Sequence, residues 1–330
     1  MNTLLFLASL SIFFIGCNQA AENTTVNSFR KCTSMSLGSD DSMDASIYKT
    51  GIGALLGTRV TSFEALKTII QIEYENGPIT ADSTAPESSW VSVSHCSYDR
   101  EVIGVLEKGT KEGDLYKAKD AILPRFSVLF GCPYAVMNRR DLDKIFVLTR
   151  FRPELFGIGD LAFLDIAKAL VKNINTPDLA FKNTRDSTEK GYLNTFNHFT
   201  AQAIITSCFS EKLADFVADI HERDRHPELI TGRFTQAQIA DLEEGPLDNY
   251  VDIVNNEWGQ EIGKQLKVKY GINRKTNWTP ELLANYLNDI QAYYMWAFQI
   301  GFKPFRPEDK VVRVFANKMN TVLRDDLSVD

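Results

Sequence analysis

The densest patterning of apolar and polar positions falls between residues 190 and 267, where a helical period recurs in three segments. Residues 190–206 bring Leu193, Phe196 and Ile204 to one side, and residues 211–222 carry a stripe of Leu213, Phe216, Val217 and Ile220 behind Ser207 or Ser210 as N-cap. Residues 250–267 repeat Val251, Val254, Trp258, Ile262 and Leu266, with Asp248 placed to cap the start. Spacing predicts further helices over 159–172, through Leu161, Leu164, Ala167 and Val171, and over 282–300 after Thr279-Pro280, with Gly301 as the stop. Pro307 opens a last helix carrying Val311, Val314, Phe315 and Val322. Tyr293, Tyr294, Trp296 and Phe298 either pack the core or line a groove for sugar or lipid.

The N-terminal half reads differently. Thr61-Ser62-Phe63-Glu64 has a capping-box pattern, which predicts a helix through Phe63, Leu66, Ile69 and Ile70 that stops at Asn76-Gly77. Residues 77–89 are loop-like, residues 90–97 alternate as a strand, and 100–106, 122–130 and 144–150 are further strand candidates. Pro153, Gly157 and Gly159 mark a boundary, and the polar stretch 173–190 predicts a surface loop. The expected fold class is therefore α+β, with a small mixed α/β part over 47–152 and a mainly helical domain over 153–330. No internal repeat is evident.

Residues 4–15 are apolar and uncharged, and Gly16 and Cys17 follow at once. Phe14-Ile15-Gly16-Cys17 resembles the lipobox of bacterial lipoproteins, which implies a signal peptide over 1–16, lipidation of Cys17 and a membrane anchor through that N-terminal lipid. Two positions depart from the pattern: Met1-Asn2-Thr3 has no Lys or Arg, and Phe14 stands where Leu is usual. Residues 17–46, rich in Asn, Thr, Ser and Asp, then read as a flexible tether, and the chain is expected in the cell envelope on its periplasmic or extracellular face. Cys32, Cys96, Cys132 and Cys208 are left as disulfide candidates, in three possible connectivities. None has C-x-x-C spacing, which argues against a thiolate zinc site. With 330 residues, 44% hydrophobic, and a formal net charge of -7 on scattered basic residues, the composition fits a globular protein that does not bind nucleic acid.

Three of the four histidines, His198, His221 and His226, sit in the central stretch. Asn194 and His198 share one helix face, and Asp252, Asn255, Asn256, Gly259 and Gly263 share another at spacings of three and four. The two glycines would let a neighbouring helix or a ligand approach closely. One chemistry is hydrolysis, with His198 or His221 as general base, Asp252 orienting it, and Asn255 or Asn256 donating to an oxyanion. A second holds zinc or another divalent metal on His198, His221 and Asp252, with Glu222 activating water. His226 follows His221 by five residues, so no H-E-x-x-H signature is present. The third reading is a buried polar network that pins three helices in register, and His95 on its strand reads as structural.

Asn194-Thr195-Phe196-Asn197-His198, His221-Glu222 and Asp252 to Gln260 together resemble a poorly characterised group of bacterial helical domains in secreted and toxin-like proteins. The pattern there is Asp-x-x-Arg-His, His-Glu and Asp-x-x-Asn-Asn-x-x-Gly-Arg, so Asn194, Asn197 and Gln260 depart from it in charge. The resemblance covers about seventy residues and implies a site without naming a reaction. Two functions follow as expectations: an envelope hydrolase acting on a polymer or lipid, or a non-catalytic lipoprotein that binds a protein partner in an immunity or assembly role.

Overall fold

A computed structural model describes residues 53–75, 90–97, 100–120, 122–223, 225 and 234–324. The fold is α+β and mainly helical. Strands β1 (Ile70–Tyr74), β2 (Trp90–Ser97) and β3 (Arg100–Glu107) form an antiparallel sheet in that order. Nine longer helices follow among the described residues: α1 (Glu112–Asp120), α2 (Ile122–Gly131), α3 (Arg139–Thr149), α4 (Phe163–Asn173), α5 (Asn194–Cys208), α6 (Glu211–Glu222), α7 (Pro246–Tyr270), α8 (Pro280–Phe298) and α9 (Lys310–Leu323). None is long and apolar enough to cross a membrane.

The 25-residue α7 is the axis. On β2, Val91, Val93, His95 and Ser97 alternate inward as period 2 requires. His95 accepts a hydrogen bond from Trp258 Nε1 of α7 at 2.9 Å, a structural role as expected. On β3, Gly104 sits so close to α7 that a Cβ there would lie 2.8 Å from Ile253.

Several local expectations are corrected. The helix opened by Ser62 lasts one turn, Phe63–Leu66, because Ile70, Ile72 and Tyr74 alternate and pair with His95, Val93 and Val91. Residues 122–130 and 144–149 are helical, within α2 and α3. A short apolar run cannot be assigned by composition alone, and α3 buries Leu142, Ile145, Phe146 and Leu148, a helical face. The stretch 173–190 is anchored rather than a free surface loop. Asp186 within it is fully buried and accepts hydrogen bonds from Thr58 Oγ1 at 2.5 Å, Arg59 Nε at 3.0 Å and the Lys182 amide at 2.7 Å. Gly245, not Asp248, is the N-cap of α7, which starts at Pro246.

The cysteines also differ from expectation. Cys132 and Cys208 are free buried thiols, so neither is a disulfide partner. Cys96 is disulfide-bonded, and Cys17 and Cys32 lie outside the described residues.

Helices α5 and α7 pack at backbone distance. A Cβ built on Gly259 would meet the Phe199 carbonyl oxygen at 2.5 Å, and one on Gly263 the Ala203 carbonyl oxygen at 2.6 Å. The expected role of these glycines in close helix approach therefore holds. Gly263→Ala should lower stability by roughly 1–3 kcal/mol, as overpacking of a filled interior does. Gly159→Ala, where nothing lies within 4 Å, should leave the urea midpoint of unfolding unchanged.

Candidate functional site

Four polar pairs bridge α5 and its preceding turn to α7 with a constant separation of 58 residues: Lys190 with Asp248, Asn194 with Asp252, His198 with Asn256, and Gln202 with Gln260. A constant offset means that the two helices run parallel, and steps of four residues keep each rung on the same face. A π-helical turn, Glu189–Leu193, precedes α5 and carries Lys190 into this register.

The middle rungs hold the site. Asn194 Nδ2 donates to Asp252 Oδ1 at 2.8 Å and lies 3.4 Å from Asp248 Oδ1, while Lys190 Nζ pairs with Asp248 Oδ2 at 2.6 Å. His198 Nδ1 is 3.1 Å from Asn256 Oδ1, and its Nε2 is 3.4 Å from Asp252 Oδ2. Glu222, at the end of α6, accepts from Asn256 Nδ2 at 3.5 Å. Asp252 and Glu222 are almost wholly buried, and His198 is 12% exposed at its side chain. Ligand atoms of His198, Glu222 and Asp252 all lie within 4.8 Å of one another, so these three could hold a metal ion.

Burial governs the protonation of this cluster. Desolvation lowers His198 to about 4, aided by the charge of His221, so the ring is neutral. Desolvation raises Asp252 to about 6, and raises Asp248 to about 6 with the help of the Asp252 charge. Glu222 is pushed well above the usual carboxylate range, first by burial and then by Asp252.

Of the residues expected in a site, His198, Glu222, Asp252 and Asn256 come together. His221 stands at the rim: its ring centre is 6.3 Å from that of His198, and its Nδ1 engages Glu112 Oε2 at 3.0 Å. Glu222 thus takes the place expected for His221 among the candidate metal ligands. That hydrogen bond, with the His221 charge, holds Glu112 below the usual carboxylate range despite its partial burial. Asn255 points elsewhere. Its Oδ1 accepts from the Leu55 amide at 2.6 Å and its Nδ2 donates to the Leu55 carbonyl at 3.0 Å, clamping an extended segment rather than facing an oxyanion. His226 lies outside the described residues. Nothing in the sequence around Lys190 or Glu112 marks them as neighbours of the site. Of the aromatics on α8, Tyr294 is core, whereas Tyr293 and Trp296 line a cleft of about 430 Å³ with Trp258, Arg100 and Gln265. Trp258 follows Asn256 by two residues, about 200° of helical turn, so this cleft is on the opposite face of α7.

A second acidic group lies where α6 faces α7. Burial raises half-buried Asp215 to about 6, with Glu211 adding to the shift and Arg223 opposing it. Asp219 and Glu257 are raised as well, again by burial first and then by Asp215. A carboxyl raised in the folded state costs no stability below its unfolded pKa near 4, and destabilises increasingly as pH rises toward 6. Asp215→Asn should therefore raise the melting temperature at pH 7.5 and leave it almost unchanged at pH 3.5, read from paired thermal melts.

No protein-family model, curated protein or solved structure matches this chain.

Proposed function

We propose that the protein is an exported, lipid-anchored hydrolase of the cell envelope, acting on a polymer or lipid there through His198, Glu222, Asp252 and Asn256. The anchor reading rests on the apolar run 4–15 with Gly16-Cys17, which lies outside the described residues. The observation that carries the hydrolase reading is the pairing of opposite protonation habits in one dry cluster. A neutral imidazole and a proton-retaining Glu222 carboxyl are linked through a single amide, Asn256. Groups tuned in this way are what proton transfer to and from water or a leaving group needs at neutral pH. In this reading Glu222 carries the proton, Asp252 supplies negative charge, and Asn256 orients both His198 and Glu222. His221, at the rim of the cluster, is the neighbour nearest solvent, with its side chain 39% exposed.

A second reading keeps the chain in the envelope as a non-catalytic partner-binding lipoprotein, with the cluster purely structural. The near-complete burial of Asp252 and Glu222 is the observation in its favour.

Glu222→Gln separates the two, because it preserves size and hydrogen bonding while removing the proton carrier. The hydrolase reading expects the variant to melt within a few degrees of the wild-type protein. It also expects release of soluble fragments from isolated cell-envelope material to fall roughly 100-fold or more, the usual weight of general acid–base catalysis. Equal release by wild type and variant, or none by either, would favour the structural network.

A further inference from the structure

We infer that His198, Asp252 and Glu222 bind one divalent cation, Zn²⁺ or Mn²⁺, at the crossing of α5, α6 and α7. This deepens the hydrolase reading of the same cluster by putting an ion where the Glu222 proton would otherwise be, with that proton released to solvent, and rests on that reading only for the purpose the ion would serve.

The hydrogen-bond directions carry the inference. Asn256 Nδ2 faces Glu222 Oε1, so Asn256 turns its Oδ1 toward His198 Nδ1. An amide oxygen only accepts, and Nδ1 must therefore carry the ring hydrogen. In the neutral ring this leaves Nε2 as a bare lone pair. Nε2 lies 3.4 Å from Asp252 Oδ2, and that oxygen is buried and accepts no hydrogen bond. Asn194 is spent on the other oxygen, Oδ1, at 2.8 Å. Two acceptor atoms thus lie 3.4 Å apart in a buried interior with no hydrogen bond between them, an arrangement that is costly unless something positive lies beside both.

Geometry favours a metal ion over a proton. Two ligand atoms each about 2.1 Å from a tetrahedral ion lie about 3.4 Å apart, which matches the separation between Nε2 and Oδ2, whereas a shared proton would draw them below about 3.0 Å. The Glu222 carboxylate completes a set of three protein ligands within 4.8 Å, leaving a position for water or substrate. The surroundings follow the pattern of metal centres. Asn256 fixes the tautomer of the imidazole ligand and also touches Glu222, while Asn194 orients Asp252. One imidazole with two carboxylates is a mixed donor set that suits zinc and manganese.

The full-length chain, purified in detergent and stripped with EDTA, is titrated with ZnCl₂ and separately with MnCl₂. Bound metal is counted by mass spectrometry and affinity is read by calorimetry. The inference expects one ion per chain, with a rise of several degrees in melting temperature that EDTA reverses. Asp252→Asn can still donate a hydrogen to Nε2, so it should fold at least as stably as the stripped wild-type chain yet bind the ion roughly 100-fold more weakly. Asn256→Ala keeps all three ligands but loses the tautomer lock, and should weaken binding about 10–100-fold. Absence of stoichiometric binding by the wild-type chain overturns the inference, as does unchanged affinity in Asp252→Asn. A bound ion without fragment release from envelope material removes the hydrolase and keeps the metal site. Release that survives EDTA, from a chain that binds no ion, keeps the hydrolase and removes the metal site.

Discussion

Everything at the centre of this molecule depends on two parallel helices touching along their backbones. Gly259 and Gly263 remove the side chains that would hold α7 away from α5, and the carbonyl oxygens of Phe199 and Ala203 occupy that space. Parallel contact at this distance permits only one register, because a shift by a single residue would turn each polar rung about 100° away from its partner. The register is what delivers Asn194 to Asp252 and His198 to Asn256. Helix α6 then needs only to end beside the pair for Glu222 to reach Asn256. A close backbone contact with no chemistry of its own thus determines where the chemistry sits.

The same closeness sets the electrostatics. Once water is expelled from the seam, a charge within it is expensive, by several kcal/mol for an unpaired ion even after the protein relaxes. The outermost rung meets that cost with an ion pair, Lys190 to Asp248. At the next rung the amide of Asn194 meets Asp252, Lys190 and Arg225 add favourable charge, and Glu222 adds a second carboxyl beside it. Burial outweighs that compensation, and the carboxyl groups answer by shifting toward their protonated forms. Elsewhere the protein handles a buried charge differently. Lys318 is held by Asp160 at 2.9 Å and by the carbonyl oxygens of Arg150 and Leu161, so all three ammonium hydrogens are used.

The three central helices and four of the six candidate catalytic residues were legible in the sequence, because amphipathic spacing places Asn194 and His198, or Asp252 and Asn256, on one face whatever the tertiary fold. The glycine pair was legible for the same reason, since two glycines at helical spacing make sense only against a close neighbour. What periodicity cannot supply is the partner of each face. Asn255 and Asn256 are adjacent and chemically identical, yet 100° of helical turn sends one to the Leu55 backbone and the other to His198. His221 and Glu222 divide in the same way, one at the rim and one in the seam. The N-terminal errors had another origin. Residues 122–130 and 144–150 are short apolar stretches whose composition could not tell helix from strand, and Ile70 to Tyr74 satisfied helix and strand spacing equally until β2 supplied its pairing.

The sheet, finally, is part of the same construction. Gly104 lets β3 come within a side chain's reach of Ile253 and Glu257, and Trp258 reaches His95 on β2, so the face of α7 opposite the seam is held by strands. Asn255 fixes the Leu55 segment on a third side. A helix gripped on one face by a sheet, on another by an extended segment and on another by α5 has little freedom to rotate about its axis. Rotation is the motion that would take Asp252 and Asn256 out of line with His198, because a turn of 20° displaces atoms 6 Å from the axis by about 2 Å. The small N-terminal sheet therefore contributes to the site without supplying a residue to it: it holds the angle of α7 on which the separation between Nε2 and Oδ2 depends.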